Sequence, residues 1–194
     1  MQTEQIKFDA PTHKYTVGNR EVMSVTTILK EAGMIDTQWF TEESRLRGTA
    51  VHEAVFYDIH NDLHEDGMHD IIRPYVQAWF KFKNDTDFLP LSSMCEARMY
   101  HPIYEYAGTP DLIGRLNGRM VLIDIKTGDC PTARFQTAAY REFPKVRALS
   151  PARFSLRLFN DGKYKCLQHS DPNDFLVFLD ALKKVRENKG GILQ

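Results

Sequence analysis

Asp111-Leu-Ile-Gly-Arg-Leu-Asn-Gly-Arg-Met-Val-Leu-Ile-Asp-Ile-Lys126 is the stretch that decides how this chain folds. Two apolar-rich runs flank Asn117-Gly118, and that dipeptide between apolar runs is a strong hairpin signal. A two-residue turn sets the register. Leu116 faces Arg119, and counting outward one pair at a time brings Asp111 opposite Asp124 on one face of the sheet. Carboxylates with Cβ atoms about 5 Å apart repel unless something positive lies between them. Lys126 follows Asp124 by two residues on the same face.

Ile125 points to the other face, so its side chain can be buried while its backbone carbonyl stays available as an oxygen ligand. Two carboxylates, a carbonyl and water are the ligands that Mg²⁺ or Mn²⁺ takes. Such an ion polarises a phosphoryl oxygen and lowers the pKa of an attacking water. Lys126 would orient that water or stabilise charge developing on the phosphate. The bland alternative is that Asp111 opens a strand as a turn residue and Asp124 and Lys126 make a surface pair.

Two more residues converge on the same place. If the strand from Met94 turns back at Ile103-Tyr104, the same counting sets Glu96 opposite Asp111, giving three carboxylates on neighbouring strands. Pro102 disturbs that turn, and a one-residue slip would move Glu96 to the other face. Upstream, His52 follows Gly48 by one helical turn, and glycine there permits close approach of another backbone. A lone helical histidine is more often a packing residue than a ligand.

Composition bounds the rest. At 194 residues and 42% hydrophobic content the chain suits one α/β domain with a real core. It has no apolar run of membrane-spanning length and no signal-peptide pattern at its start, so a cytoplasmic location without membrane association is expected. Cys95, Cys130 and Cys166 are widely spaced and read as free thiols, not a zinc or redox motif. The net charge of −1 hides segregation. Glu53, Asp58, Asp62, Glu65, Asp66 and Asp70 are interrupted by no Lys or Arg, whereas Arg134, Arg141, Lys145, Arg147, Arg153 and Arg157 are accompanied only by Glu142. That basic segment either faces phosphates or is an ordinary solvated surface. His60, His64 and His69 among the acids are taken as incidental surface.

Along the chain, a small N-terminal hairpin around Gly18-Asn19 precedes a helix capped by Ser24, over Val25 to about Glu31 and ending at Gly33. A second helix starts near Thr41 and runs to Ile59, and a third spans Ile71 to Lys83 with Tyr75, Val76, Trp79 and Phe80 at core spacing. Strands follow around Met94–Tyr100 and in the central hairpin, then a helix from Thr132 to about Phe143. Strands at Arg153–Phe159 and Lys163–Leu167 lead to a helix opened by Asp171-Pro172, and the tail from Lys189 reads as frayed.

With these residues in view, Gly108-Thr-Pro-Asp111, twelve residues, then Asp124-Ile-Lys126 resembles the signature of the PD-(D/E)xK nuclease superfamily. Gln136-Thr-Ala-Ala-Tyr140 is similar to the Gln-x-x-x-Tyr motif of its RecB-like branch, and Arg47-Gly-Thr-Ala-Val-His52 to that branch's first motif. Phe8 to Leu29, with His13-Lys-Tyr-Thr and Ser24-Val-Thr-Thr-Ile-Leu29, resembles the start of phage and prophage exonucleases of the group. The cysteine spacing departs from iron–sulfur members, and no helicase motif is present.

The resemblance implies a restriction-endonuclease-like core, a central mixed β-sheet flanked by helices. One domain would span residues 1–194, with the N-terminal hairpin and helix in 1–33 and the catalytic sheet and helix in 92–168. It implies metal binding by His52, Glu96, Asp111, Asp124 and the Ile125 carbonyl, with Mg²⁺ or Mn²⁺. Asp111, Asp124 and Lys126 would be catalytic, and Gln136 and Tyr140, on one helical face, would contact Lys126 or the DNA backbone. The expected activity is exonucleolytic hydrolysis of single- or double-stranded DNA, with room for a recombination or replication protein as partner. The rivals are a structure-specific endonuclease on the same core and a non-catalytic DNA-binding accessory subunit.

Overall fold

In a computed structural model, which describes residues 5–9, 12, 14–35 and 41–190, the Asn117-Gly118 turn has φ of 50° and 77°. Positive φ at both central residues is what a type I′ hairpin turn requires. The chain begins with β1 (Ile6–Asp9), β2 (Lys14–Val17) and β3 (Arg20–Val22), followed by α1 (Val25–Glu31), α2 (Glu42–Ile59) and α3 (Arg73–Thr86). Next come β4 (Leu89–Pro90), β5 (Met99–His101), β6 (Tyr106–Gly108), β7 (Leu112–Leu116) and β8 (Arg119–Lys126). The remainder is α4 (Ala133–Arg141), α5 (Pro144–Arg147), β9 (Ala152–Leu158), β10 (Tyr164–His169) and α6 (Asp174–Gly190).

The main sheet has the order β10-β9-β8-β7-β4. β8 and β9 are parallel and the other neighbours antiparallel, so the sheet is mixed, and α4 and α5 make the crossover that a parallel pair needs. Leu116 pairs with Arg119 and Leu112 with Ile123, the register counted from the turn. β8 is covered on both faces. Leu122 joins Val25, Ile28, Ala139, Tyr140 and Phe178 on one side, while Val121, Ile123 and Ile125 join Val51, Trp79 and Phe82 on the other. Helices therefore flank both faces of the mixed sheet. No helix among the described residues is long and apolar enough to cross a membrane.

Local chemistry explains the helix starts. The Ser24 hydroxyl accepts the Thr27 N–H at 3.0 Å, and Thr41 accepts the Ser44 N–H at 3.1 Å. Several expectations need correction. The N-terminal unit is a three-stranded meander, because Ile6–Asp9 pairs alongside β2. α3 starts at Arg73, with Pro74 in its first turn. The helix expected from Thr132 to about Phe143 is α4, which ends at Arg141, and a separate short helix, α5, follows once Phe143 adopts an extended ψ of 132° before Pro144. The last helix begins at Asp174. β4 was not anticipated; it fits against β7 because a side chain at Gly114 would run into the Leu89 carbonyl and the Phe88 ring. The expected fraying falls largely on residues 191–194, outside the described residues.

The strand expected over Met94–Tyr100 is shorter as well. Ser92–Met94 forms a single 3-10 turn, and the strand starts only at Met99. β5 and β6 form their own two-stranded sheet, so Glu96 is not on a strand neighbouring β7. The counting nonetheless places it. Met99 pairs with Gly108, and beyond the ladder Glu96 turns at φ 51° and donates its N–H to the Pro110 and Asp111 carbonyls, at 2.9 and 3.1 Å.

Candidate metal centre

Asp111 stands just before β7, where the strand has stopped pairing but β8 continues. Its Oδ2 accepts the buried Ile125 N–H at 2.6 Å, taking the place of the missing strand partner. In an extended strand the N–H and C=O of one residue lie on the same edge. The Ile125 carbonyl is therefore turned toward the Asp111 side of β8.

His52 reaches this carboxylate from α2 and Glu96 from its turn. His52 Nδ1 lies 3.6 Å from Asp111 Oδ1 and 3.4 Å from Glu96 Oε1. One ligand atom from each of the three residues falls within 4.8 Å of the others, and this is the group of His, Cys, Asp and Glu that could hold a metal ion among the described residues. Asp124 sits behind them on β8, 2% exposed. Lys126 Nζ is 2.8 Å from Asp124 Oδ2, a largely buried ion pair on one face of β8.

The charges strain one another. Burial raises the Asp124 carboxyl to about 6, Lys126 opposing and Asp111 adding to the rise. Asp111 is raised by burial and by Glu96, against the attraction of His52. Burial would lower His52, yet Asp111 and Glu96 outweigh it and lift the imidazole to about 9. Lys126 is held above the ordinary lysine range, because Asp124 overrides its desolvation. Carboxylates of Asp111 and Glu96 converging on a proton-holding imidazole fit a divalent cation, which would replace the proton.

Gln136 and Tyr140 lie on α4 and are buried. Gln136 donates to Thr26 Oγ1 at 3.3 Å, and its Oε1 lies 3.8 Å from Cys130 Sγ. Neither residue is hydrogen-bonded to Lys126 among the described contacts. Tyr140 packs on the segment that carries Asp111: a Cβ at Gly108 would lie 2.7 Å from its ring. Its hydroxyl keeps its proton well above the usual range through burial and the nearby Asp124 and Asp111 charges.

Sequence reasoning assigned no role to Tyr15, Thr26 or Thr109. Tyr15 is hydrogen-bonded to Thr109 at 2.7 Å, so the N-terminal sheet braces the Gly108–Asp111 segment. Tyr15 and Thr26 both lie within motifs singled out above, which was the available signal; His13 lies outside the described residues. Gly48 does not need to be glycine for space, since a Cβ there would meet only Thr127 Oγ1 at an ordinary 3.7 Å. His64 is solvent-exposed and the His60 ring is hydrogen-bonded to the Phe56 carbonyl, leaving the histidine-rich stretch outside the cluster.

The basic segment is partly consumed inside the fold. Arg153 is 5% exposed and binds Asp174 at 2.9 Å, while Arg134 binds both Asp171 and Asp174. Arg147 is paired with Glu142 at 3.4 Å.

No family model matches the chain, and no curated protein does. The fold and site on their own define a mixed α/β protein with a candidate metal centre at the end of its central strand.

Proposed function

We propose that the chain is a divalent-metal-dependent deoxyribonuclease of the PD-(D/E)xK superfamily, RecB-like and exonucleolytic, built on a restriction-endonuclease-like core. The observation that carries this reading is the convergence of His52, Glu96 and Asp111 within ligand distance, beside the Asp124–Lys126 pair on the same central strand. A structural role alone gives no reason to keep buried carboxylates together at an electrostatic cost.

His52, Glu96, Asp111, Asp124 and the Ile125 carbonyl would hold the ion. When bound, Mg²⁺ or Mn²⁺ supplies Lewis-acid polarisation of the scissile phosphate and a more acidic water. Lys126 is held as a cation by Asp124, which suits it to stabilise charge on the phosphate and not to take a proton. Asp111 keeps its orientation through the Ile125 N–H, so one carboxylate oxygen is committed to the strand and the other faces His52. Gln136 and Tyr140 act as positioning residues, tying α4 to Thr26 and to the Gly108–Asp111 segment.

End-labelled linear and covalently closed circular DNA, single- and double-stranded, incubated with Mg²⁺ or Mn²⁺, test the proposal. Degradation of linear but not circular DNA is the expected result. Cutting of closed circles would favour an endonuclease, and binding without cleavage an accessory subunit.

A further inference from the structure

The two ladders β8–β9 and β9–β10 place three cations in one row. Lys126 pairs with Arg157 across the parallel ladder, and Arg157 pairs with Lys165 across the antiparallel one. Residues directly opposite in a ladder share a face, so Lys126, Arg157 and Lys165 line one face of three adjacent strands. At about 4.8 Å between strands, the row is about 10 Å long. It starts beside Asp124 and ends at the β10 edge.

This row borders a cleft of about 490 Å³. Ser155, Gln168, His169 and Ser170 add polar groups, and the cleft's carboxylates are Asp129, Asp171 and Asp174. Asp171 and Asp174 are already bound to Arg134, and Asp174 to Arg153 as well. Asp129 meets Arg157 at 3.2 Å but is 87% exposed, a weak pairing in water. Lys165 has no ion-pair partner among the described residues, and Arg157 Nε is buried without a hydrogen bond. Like charges set opposite one another across a sheet are unfavourable by themselves; among the described residues Lys126 has Asp124 and Arg157 has only the exposed Asp129, and Lys165 is left without a carboxylate partner.

We propose that Lys126, Arg157 and Lys165 form the track that leads the phosphates of a DNA strand away from the metal centre toward the β10 edge. This rests on the nuclease reading. A strand carries one phosphate per about 3.4 Å of helix rise, so the row matches two or three phosphates on one side of the scissile bond. Arg134 lines the same cleft, but its charge is already taken up by Asp171 and Asp174.

The test uses the full chain carrying Asp124→Asn, in Mg²⁺, so that DNA is not consumed, and reads affinity for a labelled oligonucleotide against salt concentration. Adding Arg157→Gln with Lys165→Gln should weaken binding and reduce the slope of log affinity against log salt by about 1.5 to 2, close to one per charge removed. Lys165→Gln alone, at an exposed position, should reduce it by about 1 and serves if the double variant folds poorly. Arg141→Gln with Lys145→Gln should leave the slope unchanged. Salt-dependent binding whose slope is the same with and without Arg157 and Lys165 would overturn the track and leave the nuclease reading standing. Absence of DNA binding by the parent protein would overturn both.

Discussion

The Asp111 carboxylate accepts the Ile125 backbone N–H at 2.6 Å, so the residue just before β7 also holds the end of β8. A single oxygen thus closes the sheet while the other is turned toward His52. A structural role and the proposed ligand role meet in one side chain, and substitutions can separate them.

Asp111→Asn retains an oxygen for the Ile125 N–H and removes a charge that repels Glu96 and Asp124. Its melting midpoint in EDTA should equal or exceed that of the wild type, as should that of Asp124→Asn, while cleavage is lost in both. Asp111→Ala should instead cost about 1–3 kcal/mol, because the Ile125 N–H is buried and left unpaired. Differential scanning calorimetry in EDTA compares the three.

Lys126→Ala should lower the cleavage rate by about two to three orders of magnitude, the usual loss for a group that stabilises transition-state charge. Metal affinity should stay within a few-fold. Lys126 lowers the Asp124 pKa, so removing it raises that carboxyl above about 6, and the titration is repeated at rising pH so that protonation of Asp124 is not mistaken for loss of a ligand. Isothermal calorimetry that finds metal binding abolished would make Lys126 a structural residue.

His52 gives the site its pH dependence. Its metal-free value of about 9, and not the ordinary 6.5, means that the incoming ion displaces a proton at neutral pH. Mn²⁺ affinity should climb about tenfold per unit between pH 7 and 9 and then level off, with proton release visible in buffers of different ionisation enthalpy. The linkage to stability has the opposite slope. A folded-state value raised above the unfolded one stabilises fully below about 6.5 and loses that contribution as pH rises to about 9. In EDTA the wild type's melting advantage over His52→Ala should therefore shrink between pH 7 and 9. Because imidazole suits Mn²⁺ better than Mg²⁺, His52→Ala should also weaken Mn²⁺ binding more; an unchanged affinity ratio would return His52 to a packing role.

Gly108→Ala tests the interlock between α4 and the Gly108–Asp111 segment. The new methyl would press on the Tyr140 ring at 2.7 Å. A loss of about 1–3 kcal/mol is expected from such overpacking, relieved in the double variant Gly108→Ala with Tyr140→Leu. Urea denaturation of the single and double variants measures it.

What could be read from the sequence was local or countable. Asn117-Gly118 carried its own turn geometry, Ser24 and Thr41 carried their caps, and the hairpin register followed by arithmetic to Asp111 and Asp124. Glu96 came opposite Asp111 by the same arithmetic, although a turn and not a strand delivers it. His52 was reached through resemblance, since helical periodicity says nothing about what lies across the interface. Long-range pairings were not legible. The partners of Arg134 and Arg153 lie far along the chain at Asp171 and Asp174, and the alignment of Lys126 with Arg157 depends on a crossover whose register is set by packing. Composition therefore showed a basic segment but not which of its charges remained free.

The most direct measurement is release of labelled nucleotides from linear DNA as Mn²⁺ or Mg²⁺ is titrated into EDTA-treated protein, with wild type and Asp111→Asn run side by side. The account predicts metal-dependent degradation by the wild type and none by Asp111→Asn, although the variant still folds and binds DNA. Equal degradation by both, or none by the wild type at any metal concentration, would contradict it.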